Sequence, residues 1–377
     1  MAQGLHFSIL FVFLQTISLI KYCPAMDYKQ TFSKRLKSAR EMRGLSMAGL
    51  SAELGNSVTP QAIYKYESGK MLPGSPLLVD LSRVLQVPAD YFFRPFAVNI
   101  SGIEFRKKSK LKVHDRKAIE GIAVDKVERY VEIEDICGCQ QDVLFKKHEA
   151  PVASNDDVID LVWQLRQTWG IGSNRIQNVI RFLESLGVIV VEIDASEAFD
   201  GLSGYADDFP VIVINKGFPS ERKRFTALHE LGHLIMSFPD GADSRKHEAL
   251  CNLFANELLY PSSVFKESAS DLFKGKISLQ DLADIQKEFG ISIDAIMYKA
   301  WLSGIVSDSR MRNYHVLKNS RPAFKNYAET SRIPDETSDR FERLVYQAAN
   351  GELISMSKAA SLLDMPVESF MQRSFVI

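Results

Sequence analysis

One stretch constrains what this chain can fold into more than any other: RFTALHELGHLIMSF, residues 224–238. It holds no proline, and its apolar residues recur at three- and four-residue intervals, so it predicts an α-helix. An α-helix turns about 100° per residue, which leaves positions four apart only about 40° from each other. His229 and His233 therefore share a face one turn apart, with Glu230 beside them. Ala227, Leu228, Leu231, Leu234 and Ile235 make the opposite side, which has to be buried. The rest of the chain must supply a core against one side of this helix and a cleft over the other.

Two imidazoles and a glutamate in His-Glu-x-x-His order have the spacing of a zinc-binding helix. A catalytic zinc takes three protein ligands and keeps a fourth position for water. The stretch SRKHEALCNLFANELLYP, residues 244–261, predicts a second amphipathic helix ended by Pro261 and offers His247, Glu248 and Glu257. Glu248, 15 positions after His233, is the expected third ligand. Asn252, one turn on, is expected to hydrogen-bond the second nitrogen of a liganding histidine. Two histidines and a glutamate make the ligand set of thermolysin, with Glu230 left as the general base. Tyr205, His247 and Tyr260 are candidate oxyanion donors. A helix that binds nothing can carry the same three fixed residues by chance. The amphipathic context, the glutamate on a second helix and the upstream strand PVIVIN favour a metal. That strand is expected at a sheet edge over the site, where a peptide substrate could add to it.

A chain of 377 residues exceeds one ordinary core, so more than one domain is expected. Charge divides it. Residues 26–117 carry 17 Lys/Arg against 8 Asp/Glu, a net of +9, and residues 118–377 carry 28 against 39, a net of −11. The first part suits a polyanion and the second does not. The four cysteines, Cys23, Cys137, Cys139 and Cys251, form no disulfide framework, which fits a reducing cytoplasm. Cys137 and Cys139 are too close for the usual metal knuckle and have no second pair. The apolar run FSILFVFLQTISLI is too short to span a membrane and lacks the preceding positive charge of a secretory signal. Met26 opens MDYKQTFSKRLKSAR, which reads as an ordinary N-terminus, so residues 1–25 are expected to be a mis-called extension; a signal peptide is the second reading.

Residues 31–93 predict five short helices. The first, FSKRLKSAREMRG, places Phe32, Leu36 and Ala39 at helical spacing. Ser46 and Gly55 bound the second, and Thr59 caps the third, with Pro60 at its first position and Gly69 closing it. Two short helices and a tight turn are the helix-turn-helix pattern. With Ile63 and Tyr66 inward, Gln61, Tyr64, Lys65 and Ser68 face out. Gln reads adenine in the major groove, and Lys meets guanine or phosphate. Thr59, Gln61, Tyr64, Lys65 and Lys70 are the expected contacts to double-stranded DNA. A small helical domain that binds protein would show a similar pattern; the charge excess favours DNA.

Beyond residue 118 the pattern predicts a helix over about 115–136, two helices in 155–186, strands GVIVVEI and PVIVIN, and hairpin chemistry in DGLSGYADDF. After residue 219 it is helical almost throughout. SMSKAASLLDMP, near the C-terminus, looks like half of a helix-turn-helix, and a structural cap or dimerisation element is the favoured reading of that region.

Residues 32–93 resemble the XRE (Cro/C1-type) helix-turn-helix family. VTPQAIYKYESGKMLP sets Ile63, Glu67, Gly69 and Pro73 at family core positions, and LSRVLQVPADYFF matches its closing helices. Position 60, often a base-reading Gln or a Ser in that family, is Pro here, which puts the usual base readout in doubt. Residues from about 103 to 305 resemble the ImmA/IrrE family of zinc-dependent endopeptidases in EFRKKSKL, DGLSGYADDFPVIVIN, ERKRFTALHELGHLIMSF and EALCNLFANELLYP. That resemblance sets the metal ligands at His229, His233 and Glu248 and the catalytic glutamate at Glu230. Several members carry an XRE-type module, and members act in stress responses and mobile-element control by cleaving a repressor.

The expected fold is α+β and mainly helical. It comprises an extension (1–25), a five-helix helix-turn-helix domain (26–96), a basic linker (97–117), a zincin-like peptidase domain with a small sheet (118–318) and a helical C-terminal region (319–377). The expected function is that of a cytoplasmic, DNA-binding, gluzincin-like zinc endopeptidase that cuts a repressor or antitoxin-like partner, with no membrane contact and a homodimer allowed. The competing expectation is a non-proteolytic transcriptional regulator or antitoxin whose metal domain is structural or a sensor.

Overall fold

The computed structural model describes residues 27–94, 100–101 and 112–374, except residues 240, 242, 274 and 276. The N-terminal apolar run, the stretch EFRKKSKL and most of the expected basic linker lie outside the described residues. The chain divides into two compact units between residues 97 and 98.

In the first unit, α1 (Tyr28–Met42) starts a turn earlier than the apolar spacing predicts, because the Asp27 carboxylate accepts from the backbone N–H groups of Lys29 and Gln30. Helices α2 (Met47–Glu53), α3 (Pro60–Glu67) and α4 (Ser75–Leu85) follow, and a 3-10 turn, Ala89–Phe93, closes the set. Ser46 and Thr59 cap α2 and α3 through their hydroxyls. Phe32, Leu36, Ala39, Leu50, Ile63, Leu81, Leu85, Tyr91 and Phe92 form one core. Arg40 reaches across it to grip Glu67 with two hydrogen bonds, 2.6 and 2.9 Å, and so joins α1 to α3.

The second unit opens with β1 (Ile100–Ser101) and the long α5 (Val113–Cys137). Helices α6 (Asn155–Thr168) and α7 (Val179–Ser185) lead into β2 (Ile189–Ile193), β3 (Gly201–Ala206) and β4 (Phe209–Asn215). Then come α8 (Ser220–Ile235) and α9 (Ser244–Leu259). Five further helices are α10 (Ser262–Phe273), α11 (Leu279–Phe289), α12 (Ile293–Leu302), α13 (Asp308–Ser320) and α14 (Pro322–Glu329). The last three are α15 (Arg340–Asn350), α16 (Met356–Leu362) and α17 (Val367–Ser374). Among the described residues no helix is long and apolar enough to cross a membrane.

The strands form one sheet in the order β1-β3-β4-β2, with β2 parallel to β4 and the other pairs antiparallel. PVIVIN is therefore central, not the edge strand expected. Its continuous apolar run fits a strand buried on both faces. Ile189, Val191, Ile193, Val211 and Val213 pack with Ile119, Ala123 and Val127 of α5, while Val190, Ile212 and Ile214 join the helical core with Ala227, Leu228 and Leu231 of α8. DGLSGYADDF contains a strand of its own, β3, turned back into β4 at Asp207, whose φ is 51°. Among the described residues β1 pairs only with Tyr205 and Ala206, so β3 from Gly201 to Gly204 has no strand on that side.

A segment without regular structure, residues 330–339, straps the start of α8 to its surroundings. The backbone N–H of Arg332 donates to Glu221, Lys223 pairs with Asp335 at 2.8 Å, and Arg224 forms a buried pair with Glu336. Beyond the strap, Leu344, Val345, Ala348, Ala359, Leu362 and Phe370 pack around Ile133 of α5.

Candidate metal centre and nucleic-acid interface

Helices α8 and α9 pack side by side, and Gly232 sets how closely. A methyl group there would stand 3.1 Å from Phe254 and 3.3 Å from Met236. Across this contact His229, His233 and Glu248 converge, each offering a ligand atom within 4.8 Å of the others. The two Nε2 atoms are 3.1 Å apart, and Glu248 reaches to 3.2 Å from His229 and 3.9 Å from His233. Both histidines are nearly buried, whereas the Glu248 side chain is 32% exposed.

The donor set fits zinc. Two nitrogens and a carboxylate are its usual ligands, and atoms bound tetrahedrally at 2.0–2.1 Å stand roughly 3.3 Å from one another. The Cys251 sulfur lies 2.8 Å from Nδ1 of His233, on the far side of the ring from Glu248. An imidazole that gives its proton to that sulfur has a bare lone pair on Nε2. Facing another Nε2 at hydrogen-bond distance, that lone pair suits a shared cation.

Glu230 is 5% exposed, one residue along from His229. The hydroxyl of Ser203 on β3 donates to its Oε2 at 2.7 Å. This approach of strand to helix needs glycine at 201, where an added methyl would sit 2.7 Å from Thr226 and 2.9 Å from the Val213 carbonyl.

Asn252 does not take the place expected of it. It is exposed, and Cys251, one position back and about 100° round the helix, holds the second nitrogen of His233. The sequence signal for Cys251 is its position three residues after Glu248, within an apolar helix face. Of the oxyanion candidates, Tyr260 is corrected. It is buried, stacked on Phe289 at 3.6 Å, and its hydroxyl meets Ser268. Tyr205 donates to the Leu234 carbonyl at 3.4 Å, and burial pushes its hydroxyl pKa up, which keeps the O–H proton in place. His247 stacks on Phe238 at 4.2 Å, and Phe238 in turn lies 6.4 Å from the ring of His233. Glu257 is engaged elsewhere, in a buried pair with Lys299 at 2.6 Å.

In the first unit, Thr59, Gln61, Tyr64, Lys65 and Lys70 are all exposed, and Ile63 is fully buried. Tyr66 is half-buried against the core. The Lys70 ammonium sits 5.6 Å over the Tyr64 ring, so the two form one cationic, aromatic surface. The Thr59 hydroxyl is partly occupied, accepting from the Ala62 N–H at 3.2 Å.

Two family models match the chain. Residues 36–92 match the helix-turn-helix family, and residues 183–300 match the IrrE N-terminal-like domain. No curated protein matches in sequence. Among solved structures, the chain is similar to Bacillus thuringiensis PlcR in complex with the peptide PapR7 and DNA. Identity is 12% over 92% of this chain and 100% of that one, and the TM-score is 0.18.

Proposed function

Starting from a chain whose residues 36–92 are a helix-turn-helix domain and whose residues 183–300 are an IrrE N-terminal-like, metallopeptidase-type domain, we propose a DNA-binding regulator that is also a zinc endopeptidase. Its substrate is a protein partner, a repressor or antitoxin, in the cytoplasm. The observation that carries the reading is the convergence of His229, His233 and Glu248 beside a buried glutamate held by Ser203. A purely structural metal site has no use for that glutamate.

His229, His233 and Glu248 would hold the metal. When bound, zinc supplies Lewis acidity, lowering the pKa of water and polarising a carbonyl oxygen. Glu230 takes the proton from the attacking water and returns it to the leaving amine. Ser203 fixes one oxygen of that carboxylate and so orients it on α8 beside His229. Among the described residues no strand lies beside Gly201 to Gly204 of β3 on the side away from β4, and an extended peptide can add there as a strand.

Thr59, Gln61, Tyr64, Lys65 and Lys70 form the DNA-facing surface, with Gln61 the base reader. Joining both activities in one chain raises the local concentration of peptidase around substrates bound to the same DNA. Incubating the zinc-loaded full chain with the repressor proteins encoded beside it tests this. Cleavage should occur, and should vanish with a chelator and in Glu230→Ala. If no partner is cut while zinc and DNA both bind, the non-proteolytic regulator stands instead.

A further inference from the structure

On the reading of His229, His233 and Glu248 as metal ligands, we propose that Cys251 is a positioning residue for the centre. Its sulfur accepts the Nδ1 proton of His233 and thereby fixes the tautomer and ring plane that present Nε2 to the metal.

The contact is 2.8 Å, inside the van der Waals separation of sulfur and nitrogen, and Cys251 is fully buried. A neutral imidazole that ligates through Nε2 must carry its proton on Nδ1. Metal-binding histidines ordinarily donate that proton to a carboxylate, a backbone carbonyl or water. Here a thiol sulfur receives it. Glu248 and Cys251 lie three apart on α9, so one helix supplies both a ligand and the brace of another ligand. The second histidine is held differently. Nδ1 of His229 is buried with no hydrogen-bond partner among the described residues, and its ring lies 6.5 Å from that of Phe225. The two imidazoles are thus unequally oriented, and His233 is the fixed one.

Cys251 also belongs to the apolar cluster with Leu250, Phe254, Ala255 and Leu258, and a packing role alone would show as stability. The experiment separates the two roles. The full chain and its Cys251→Ala, Cys251→Ser, Cys251→Val and Asn252→Ala variants are compared for zinc affinity, by competition with a chromophoric chelator. The visible spectrum of the cobalt(II)-loaded protein and the melting point of the metal-free protein are read alongside. Ala and Val, which offer no acceptor, should weaken zinc binding about 10- to 100-fold and change the cobalt spectrum. Ser, which keeps an acceptor, should recover most of the affinity, and Asn252→Ala should leave it unchanged. If Ala does not fold, the comparison of Val with Ser decides. Zinc affinity and cobalt spectra alike in Val, Ser and wild type would overturn the proposal, whatever the melting points do. A wild-type chain that takes up no zinc would overturn the metal-centre reading as well.

Discussion

The hydroxyl of Ser203 donates to Oε2 of Glu230 across 2.7 Å and joins strand β3 to α8, the helix that carries His229 and His233. A buried hydrogen bond to a charged group is worth about 1.5–3 kcal/mol. If it holds the carboxylate in its working orientation, Ser203→Ala should lower kcat by about 10- to 100-fold. Zinc content and KM should stay near wild type. Steady-state peptide cleavage beside elemental analysis checks this; an unchanged kcat rules out a positioning role for the hydroxyl.

Removing a ligand should remove the metal. Elemental mass spectrometry of His229→Ala and of Glu248→Gln is expected to find little zinc where the wild type holds about one ion per chain. A metal that binds only the folded state also stabilises it, by about 2.7 kcal/mol at a hundredfold excess over Kd. A chelator should therefore lower the melting point of the wild type and leave that of His229→Ala unmoved.

Gly201 is a packing constraint as well as a strand residue. The methyl of Gly201→Ala would meet the Val213 carbonyl at 2.9 Å, which is backbone and cannot swing aside. A cost of about 1–3 kcal/mol is expected, read as a lower denaturation midpoint. Because the same methyl would stand 2.7 Å from the Thr226 side chain, one turn before Glu230 on α8, cleavage should fall further than the loss of folded protein explains.

The exposed face of α3 gives two different signatures on DNA. Lys65→Ala should weaken binding across sequences and reduce the salt slope by about 1, as expected for a phosphate contact. Gln61→Ala should cost about 1–3 kcal/mol at one base position and little elsewhere. Fluorescence anisotropy on duplexes at several salt concentrations separates these outcomes. Binding that is insensitive to salt would argue for a protein-docking role of the first unit.

The buried pair between Arg224 and Glu336 fixes the strap to α8. Breaking it from one side with Glu336→Ala leaves the guanidinium short of its charge partner and should destabilise the fold by about 3–5 kcal/mol. Removing both charges together, with Arg224→Met in the same chain, should restore part of that loss. Chemical denaturation of the single and double variants measures the coupling.

What the sequence made legible was whatever short-range periodicity records. His229 and His233 had to share a face once the helix existed, and Thr59 and Pro60 marked the start of α3 by local chemistry alone. Strand order was not legible, because PVIVIN reads the same at an edge or in the centre and only its partners, β2 and β3, decide. Asn252 and Cys251 show the same limit on a helix. Both stand about one turn from Glu248, and the packing of α9 against α8 selects which meets His233. The tie between Glu336 and Arg224 spans more than a hundred positions, a distance at which a single sequence carries no spacing signal.

The two faces of the sheet draw on chain segments far apart in sequence. Ile119, Ala123 and Val127 cover one face, and residues 330–339 grip the helix on the other. A fragment trimmed to residues 183–300 would contain His229, His233 and Glu248 and still uncover the sheet face that α5 packs on. A piece that keeps both supports runs from α5 through residue 339, so the three converging side chains are close in sequence while what steadies their helices is gathered from afar.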